Sequence, residues 1–218
     1  QSNRAMEKEV RLEKIASLST ADFFNTTSVN KLTAEQQNDL PVEITGYFNN
    51  TKHILLDNQT NKGVVGYRVF QVFTESTTNQ ATLVNLGWIA GGKLRSELPK
   101  LESFNGKQTI QGNLRIMENP IVLSNNNEPM EKAWPLRVQQ INLQKLSTIT
   151  GYKLAPYVLY LSKASTLGYV KNWQPIVMPP EKHRGYAFQW FSLAFAWLSL
   201  MIWAAYKNNK KNQSGDVV

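Results

Sequence analysis

Apolar side chains change their spacing twice along this chain, and the two changes divide it into three parts. Between Arg4 and Leu18 they stand at Met6, Val10, Leu12, Ile15 and Leu18 among charges, close to the 3.6-residue period of a helix with one apolar face. Glu7 and Arg11 form an i,i+4 pair of opposite sign, Glu9 and Glu13 one of like sign. Charge pairing therefore does not hold this helix, and its apolar face needs a surface to pack on. From Pro41 the period falls to two. Short β-branched and aromatic runs (VEITGYF, HILLDN, GYRVFQVFTE, ATLVNLGWIA, KQTIQGNLRI and YVLYLSK) alternate with Gly, Asn and Pro clusters. This spacing predicts an antiparallel sheet or a small barrel. Between the last two runs, Asn142 to Thr150 predicts a short helix, capped by Asn142 and stopped before Gly151. Asn125 to Pro129 predicts a turn or mobile loop. The fold class is α+β.

The third part is a different polymer. Gly185 to Tyr206 reads GYAFQWFSLAFAWLSLMIWAAY, 22 residues without a charge. At about 1.5 Å per residue it reaches ~33 Å, enough to cross a ~30 Å hydrocarbon core. Trp173, Pro175, Pro179 and Pro180 lead the sheet to it, and the double Pro keeps the helix from starting earlier. The expected organisation is an extramembrane β-rich domain over residues 1–180, which includes the N-terminal amphipathic helix, then a transmembrane helix over 181–206 and a basic tail over 207–218.

Composition narrows the functions open to such a chain. The net charge of +8 is scattered among carboxylates instead of forming a stripe with interleaved aromatics, so no nucleic-acid partner is expected. Lys182 and Arg184 before the helix and Lys207, Lys210 and Lys211 after it suit a membrane surface, with lipid as the partner and the cations as snorkelling flanks. There is no cysteine, which excludes disulfides, thiolate metal sites and cysteine nucleophiles together. The chain begins at Gln1 rather than Met, and the expectation is that a signal or first membrane segment preceded it.

Catalytic motifs are missing. Gly87 to Lys93 has the spacing of a phosphate-binding loop, but Leu94 stands where a hydroxyl belongs and Leu98-Pro99 breaks any following helix; a glycine hairpin between strands explains it better. No GxSxG, HExxH or GxGxxG occurs, and His53 and His183 lie on different elements, so no nucleophile, base and orienter assemble and no enzyme is expected. Glu43, Asp57 and Glu75 stand near strand ends, where a solvated surface position is the expectation. The N-x-T triplets at Asn25, Asn49 and Asn58 are common by chance in an Asn-rich chain.

The apolar helix carries the one constellation of interest. At 100° per residue, Ala187, Trp190, Ala194 and Trp197 fall within about 40° of His183, so one stripe holds a ligand, two small residues and two flat aromatics. A porphyrin held through its iron by His183 would lie roughly parallel to the helix axis. Trp190, ~10 Å further in, would meet the ring edge or its tail, Ala187 would leave room between them, and Lys182 and Arg184 would pair with propionates at the aqueous boundary. These residues alone favour a second reading: Trp and Tyr gather at membrane interfaces, and a His among EKHR is more often a polar flank than a ligand.

Several segments together resemble the Surfeit locus protein 1 family of cytochrome c oxidase assembly factors. They are Gln1-x-x-Arg4-Ala5-x-Glu7-Lys8, Val42 to Phe48, Gly63-x-x-Gly66-Tyr67, and Leu83-Val84-Asn85-Leu86-Gly87-Trp88-Ile89 followed by Arg95 and Leu98-Pro99. The last is similar to the family's LVNRGW signature, with Leu86 in place of the usual arginine. The most specific piece is His183-x-x-Tyr186-Ala187-x-Gln189-Trp190-Phe191-x-Leu193-Ala194, in the form bacterial members show. The resemblance implies that His183 binds the iron of haem a and that Trp190 lies in the same site, with Tyr186, Ala187 and Arg184 around them. It implies an assembly factor that aids haem a insertion into the catalytic subunit of cytochrome c oxidase, with haem a synthase as a further partner. It also implies a first helix before Gln1, and a bacterial inner membrane in preference to the mitochondrial one, with the sheet domain on the extracytoplasmic, periplasmic side. Hand-over suits a single histidine with an exchangeable second ligand, for which His53, in the sheet, is badly placed. The alternative is a membrane-tethered scaffold without cofactor, whose helix packs on an oxidase helix through Ala187, Ala194 and Ala196.

Overall fold

The computed structural model of the chain describes residues 2–18, 23–92, 94, 96–117, 133–174 and 180–213, and for a few of these, His183 among them, the backbone alone. The predicted loop at Asn125 to Pro129 lies outside the described residues. The chain separates into two compact units: Gln1–Ala16 goes with Pro175–Val218, and Ser17–Gln174 stands as the other.

The Ser17–Gln174 unit is a barrel. Its elements are two one-turn helices, α2 (Thr26–Val29) and α3 (Ala34–Gln37), then β1 (Pro41–Asn61), β2 (Val64–Glu75), β3 (Ala81–Ala90), β4 (Gln108–Ile116), β5 (Leu136–Val138), α4 (Leu143–Thr150) and β6 (Leu154–Leu161); α1 (Ser2–Leu18) precedes them and α5 (Pro180–Gln213) follows. Strands run in the order β2-β3-β6-β4-β1-β5, and a further β1–β2 pairing closes the ring. The expected sheet or small barrel is thus present, and its pairings are mixed: β3 lies parallel to β6 and β5 parallel to β1, while the others are antiparallel. A closed Greek-key circuit of five strands is the architecture of OB-type barrels, a likeness of fold that assigns no ligand.

Closure depends on β1, which spans 21 residues. Its start pairs with β4, from Pro41↔Asn113 to Gly46↔Gln108, and the rest with β2, from Gly46↔Glu75 to Asn61↔Val64. The change of partner falls at Gly46, which pairs with both Gln108 and Glu75, and a bulge between Phe48 and His53 follows within the β2 pairing. Asn50 secures it: its Oδ1 accepts from the Phe104 amide at 2.9 Å and from Gln71 Nε2 at 3.0 Å. Sequence spacing reads VEITGYF and HILLDN as separate runs, because the polar NNTK between them breaks the alternation; the structure joins them through this bulge.

Two cores follow from the pleat. Inside the ring are Leu55, Val69, Phe73, Val84, Leu86, Tyr157, Leu159 and Leu161. On the outer face Ile54, Phe70, Val72, Leu83 and Val158 meet Leu136, Val138, Ile141 and Leu146 from β5 and the α4 region. β2 and β3 are therefore buried on both faces, which is why their sequences run nearly continuously apolar. α4 forms where predicted, with Asn142 Oδ1 accepting from the Lys145 amide at 3.0 Å and Gly151 left-handed at φ 74°.

Two expectations are corrected here. Asp57 and Glu75 are buried, not solvated. Glu75 accepts from Thr26 Oγ1 at 2.6 Å and from Thr78 Oγ1, so it ties α2 to the end of the barrel. Gly87 lies within β3, which continues to Ala90, and so is not part of a hairpin turn.

Candidate cofactor site on the C-terminal helix

The LVNLGW segment is the first place a functional residue would be sought, and its role is architectural. β3 carries a bulge against β2, with Val69↔Gly87 and Phe70↔Asn85 leaving Leu86 over. Gly87 has φ 113°, and a Cβ there would stand 2.8 Å from the Tyr169 carbonyl oxygen, a position only glycine fills without strain. The room is taken by a strap, residues 167–173. Tyr169 donates its amide to Leu86 O at 2.8 Å, and Trp88 and Val170 exchange two backbone hydrogen bonds. Trp88 lies over Gly66 and donates its indole N–H to Gln59 O at 2.7 Å. Leu86 is fully buried in the inner core, which gives an apolar occupant to the position where the family carries arginine. Asn85 is buried too; its Oδ1 accepts from the Gly87 amide at 2.9 Å and so holds the bulge.

Titratable groups in the barrel serve the same architecture. His53 is buried in β1 with Nε2 3.4 Å from Glu102 O, and burial pushes its pKa below the ordinary value, the carbonyl contact opposing that. It belongs to the barrel's packing. The Tyr169 hydroxyl accepts from the Glu102 amide at 2.8 Å, and its pKa is raised by burial. Lys171, its pKa lowered by burial, donates to Ser165 O at 2.9 Å and to Leu167 O. Among the described residues no group of three or more His, Asp or Glu side chains stands in metal-binding proximity.

The helical unit has the opposite character. α5 is unbroken from Pro180 to Gln213; Pro180 supplies a fixed φ at its start and Glu181 an acid in the first turn, where the helix dipole favours both. Arg184–Lys207, 24 residues at mean hydropathy 1.4, is long and apolar enough to cross a membrane. Its two serine hydroxyls are satisfied within the helix, Ser192 Oγ donating to Phe188 O at 2.9 Å and Ser199 Oγ to Phe195 O at 2.8 Å. That internal bonding is what a segment without water around it requires. At the far end Lys207 lies over the Trp203 ring, 5.1 Å from its centroid.

The continuous helix places the backbone of His183 one turn before Ala187 and two turns before Trp190, so the three share a stripe. The Trp190 ring is uncovered and Tyr186 is exposed beside it. Arg184 is engaged: its guanidinium meets Glu9 of α1 at 2.6 Å. Lys182 is exposed on the other flank of His183. These residues fit a flat ligand edge-on at the mouth of the helix, with one cation open and one already paired. The sequence gives no signal of Glu9 as that partner, since the two residues lie at opposite ends of the chain. Of the predicted α1 face, Leu18 packs on the inner core of the barrel while Met6 and Val10 remain exposed. No curated protein matches the chain. The model of the SURF1 family matches residues 1–195, covering the barrel and the part of α5 that carries His183 and Trp190.

Proposed function

The chain belongs to the SURF1 family, whose members are assembly factors associated with cytochrome oxidase rather than enzymes, and we propose that it binds haem a at the mouth of α5 and aids its insertion into the oxidase catalytic subunit. The observation that carries this reading is the uninterrupted helix with His183, Ala187 and an uncovered Trp190 on one stripe. His183 would supply an axial nitrogen to the iron. Trp190 would offer its flat face to the macrocycle edge, Tyr186 would border it, and Ala187 would leave the ring room. Lys182 would pair with one propionate, and Arg184 with the other once it releases Glu9. A ligand held by one helix stays exchangeable, which suits a carrier that must give up its load. The chain would sit in a bacterial inner membrane with the barrel on the extracytoplasmic side, next to the oxidase catalytic subunit and haem a synthase.

The test is an absorption spectrum of the full-length chain purified from cells that make haem a. Haem a bands should be present, lost in His183→Ala and weakened in Trp190→Ala. Unchanged haem content in His183→Ala would overturn the ligand assignment. A haem-free parent would favour the cofactor-free tether, packed through Ala187, Ala194 and Ala196.

A further inference from the structure

We propose that one end of the barrel, formed by the β1–β2 hairpin tip and the loop leaving β3, docks on the surface of an anionic bilayer. Exposed apolar residues are normal when single, but here they gather. Val64 and Val65 follow the turn at Lys62-Gly63, and both are at least half exposed. The Gly91 amide donates to Val65 O at 3.2 Å and Gly66 pairs with Ala90, which brings the loop carrying exposed Leu94 and Leu98 to the same end. Exposed Val170 pairs with Trp88, two residues before Ala90. Five apolar side chains from three segments thus share one end. At the opposite end of β2 the turn carries Thr77, Thr78 and Asn79, all exposed and polar.

Charge and tether select the occupant. The turn places Lys62 in the left-handed region at φ 48°, next to Gly63 at φ 81°. Asn is the usual residue for that position and a long cationic side chain is unfavourable there, yet a cation at the very tip is what an anionic surface attracts. The sequence of residues 91–100 adds Lys93, Arg95 and Lys100 against the single acid Glu97. An apolar tip with Lys62 at its turn and a loop of net basic sequence matches the headgroup region, where apolar side chains enter the acyl boundary and Lys and Arg meet lipid phosphates. In the sequence, the strap that holds Val170 against β3 is followed after residues 175–179 by α5.

The chain has no cysteine, so single cysteines report cleanly. Val65→Cys, Leu94→Cys and the control Thr77→Cys, each in the full-length chain, are labelled with an environment-sensitive fluorophore and reconstituted in phosphatidylethanolamine/phosphatidylglycerol vesicles containing nitroxide lipid. Labels at 65 and 94 should be blue-shifted and quenched several-fold more than at 77, and Lys62→Glu or neutral phosphatidylcholine vesicles should reduce that quenching. Equal quenching at 65 and 77 would overturn the proposal. So would shielding at 65 and 94 that arises without lipid quenching, the sign of a protein partner or of a second copy.

Discussion

Trp88 in the barrel is 7% exposed and Trp190 in α5 is 67% exposed, and the two tryptophans state the difference between the halves of this protein. In the barrel, aromatic and branched side chains meet each other, and their chemistry is spent on cohesion: Trp88 covers a glycine, its N–H holds a carbonyl, and the bulge beside it receives a strap. In α5 the same residue types point away from their own unit. Phe188, Phe191, Phe195 and Trp197 are all exposed, an arrangement that suits lipid, a flat ligand or another helix and that water alone would disfavour. The half that folds for itself holds the stable architecture, and the half that is uncovered holds the candidate site.

The sharpest way to break this contrast is to remove one phenyl ring from each half. Phe73→Ala empties the fully buried inner core and should lower barrel stability by about 3–5 kcal/mol, read as a fall in denaturant midpoint of the full-length chain in detergent. Phe195→Ala should move the same midpoint by less than about 0.5 kcal/mol. Equal shifts would mean that the two units do not stabilise independently.

The strap comes next in size. Gly168 has φ 79°, and a Cβ there would stand 2.4 Å from Leu86 O. Gly168→Ala should destabilise by about 1–3 kcal/mol, with hydrogen exchange accelerating first at the Tyr169 and Val170 amides. Protection retained there would show that the strap tolerates a side chain by moving as a body. Trp88→Phe keeps the ring but deletes the donor to Gln59 O and should lower stability by about 1–2 kcal/mol, less than any loss from the core.

Much of the barrel half is legible in the sequence and little of its closure is. Alternation gives the strands, and α4 appears within a residue because Asn142 and Gly151 punctuate it. The three-residue β5 and the four-residue α2 and α3 are too short to carry a period. Closure rests on pairings such as Pro41↔Asn113 and the parallel β3–β6 seam, contacts between distant residues that no local pattern encodes. Glu75 shows the same limit: its position at a strand end reads as surface, and only the fold brings Thr26 across to it. In the helical half the stripe through His183 and Trp190 is legible, since one helix fixes all its angles. The Glu9 contact to Arg184 is not.

Protonation sharpens the contrast further. Burial lowers the His53 pKa from the ordinary 6.5, so the folded barrel refuses a proton that the unfolded chain accepts. Stability should therefore be complete above pH 6.5, begin to fall as pH drops through that value, and keep falling until the folded imidazole protonates. His53→Gln should flatten that slope in denaturation measured between neutral and mildly acidic pH. A slope that persists in the variant would assign it to other groups.

The smallest effect belongs to Glu9. Its ion pair with Arg184 is largely exposed, and Glu9→Gln should change stability by less than about 1 kcal/mol. Its reach lies in binding: if the proposed propionate contact uses Arg184, freeing that cation should tighten haem a retention, and an unchanged or weaker retention would remove Arg184 from the site.

The double use of β1 also bears on when the protein is complete. β1, β2 and β3 follow one another through short turns and can pair as soon as they are made. That leaves β1 open on one edge and β3 open on the other. Both edges are covered by β4 and β6, which pair with each other, and β6 is the last strand before the membrane helix. Open edges are templates for wrong pairing between chains. A chain interrupted before β4 would keep both, one interrupted between β4 and β6 would leave β4 and β3 open, and only β6 joins those two edges. The ring is thus a record of synthesis: only a chain with its anchor about to follow presents a barrel without an adhesive side.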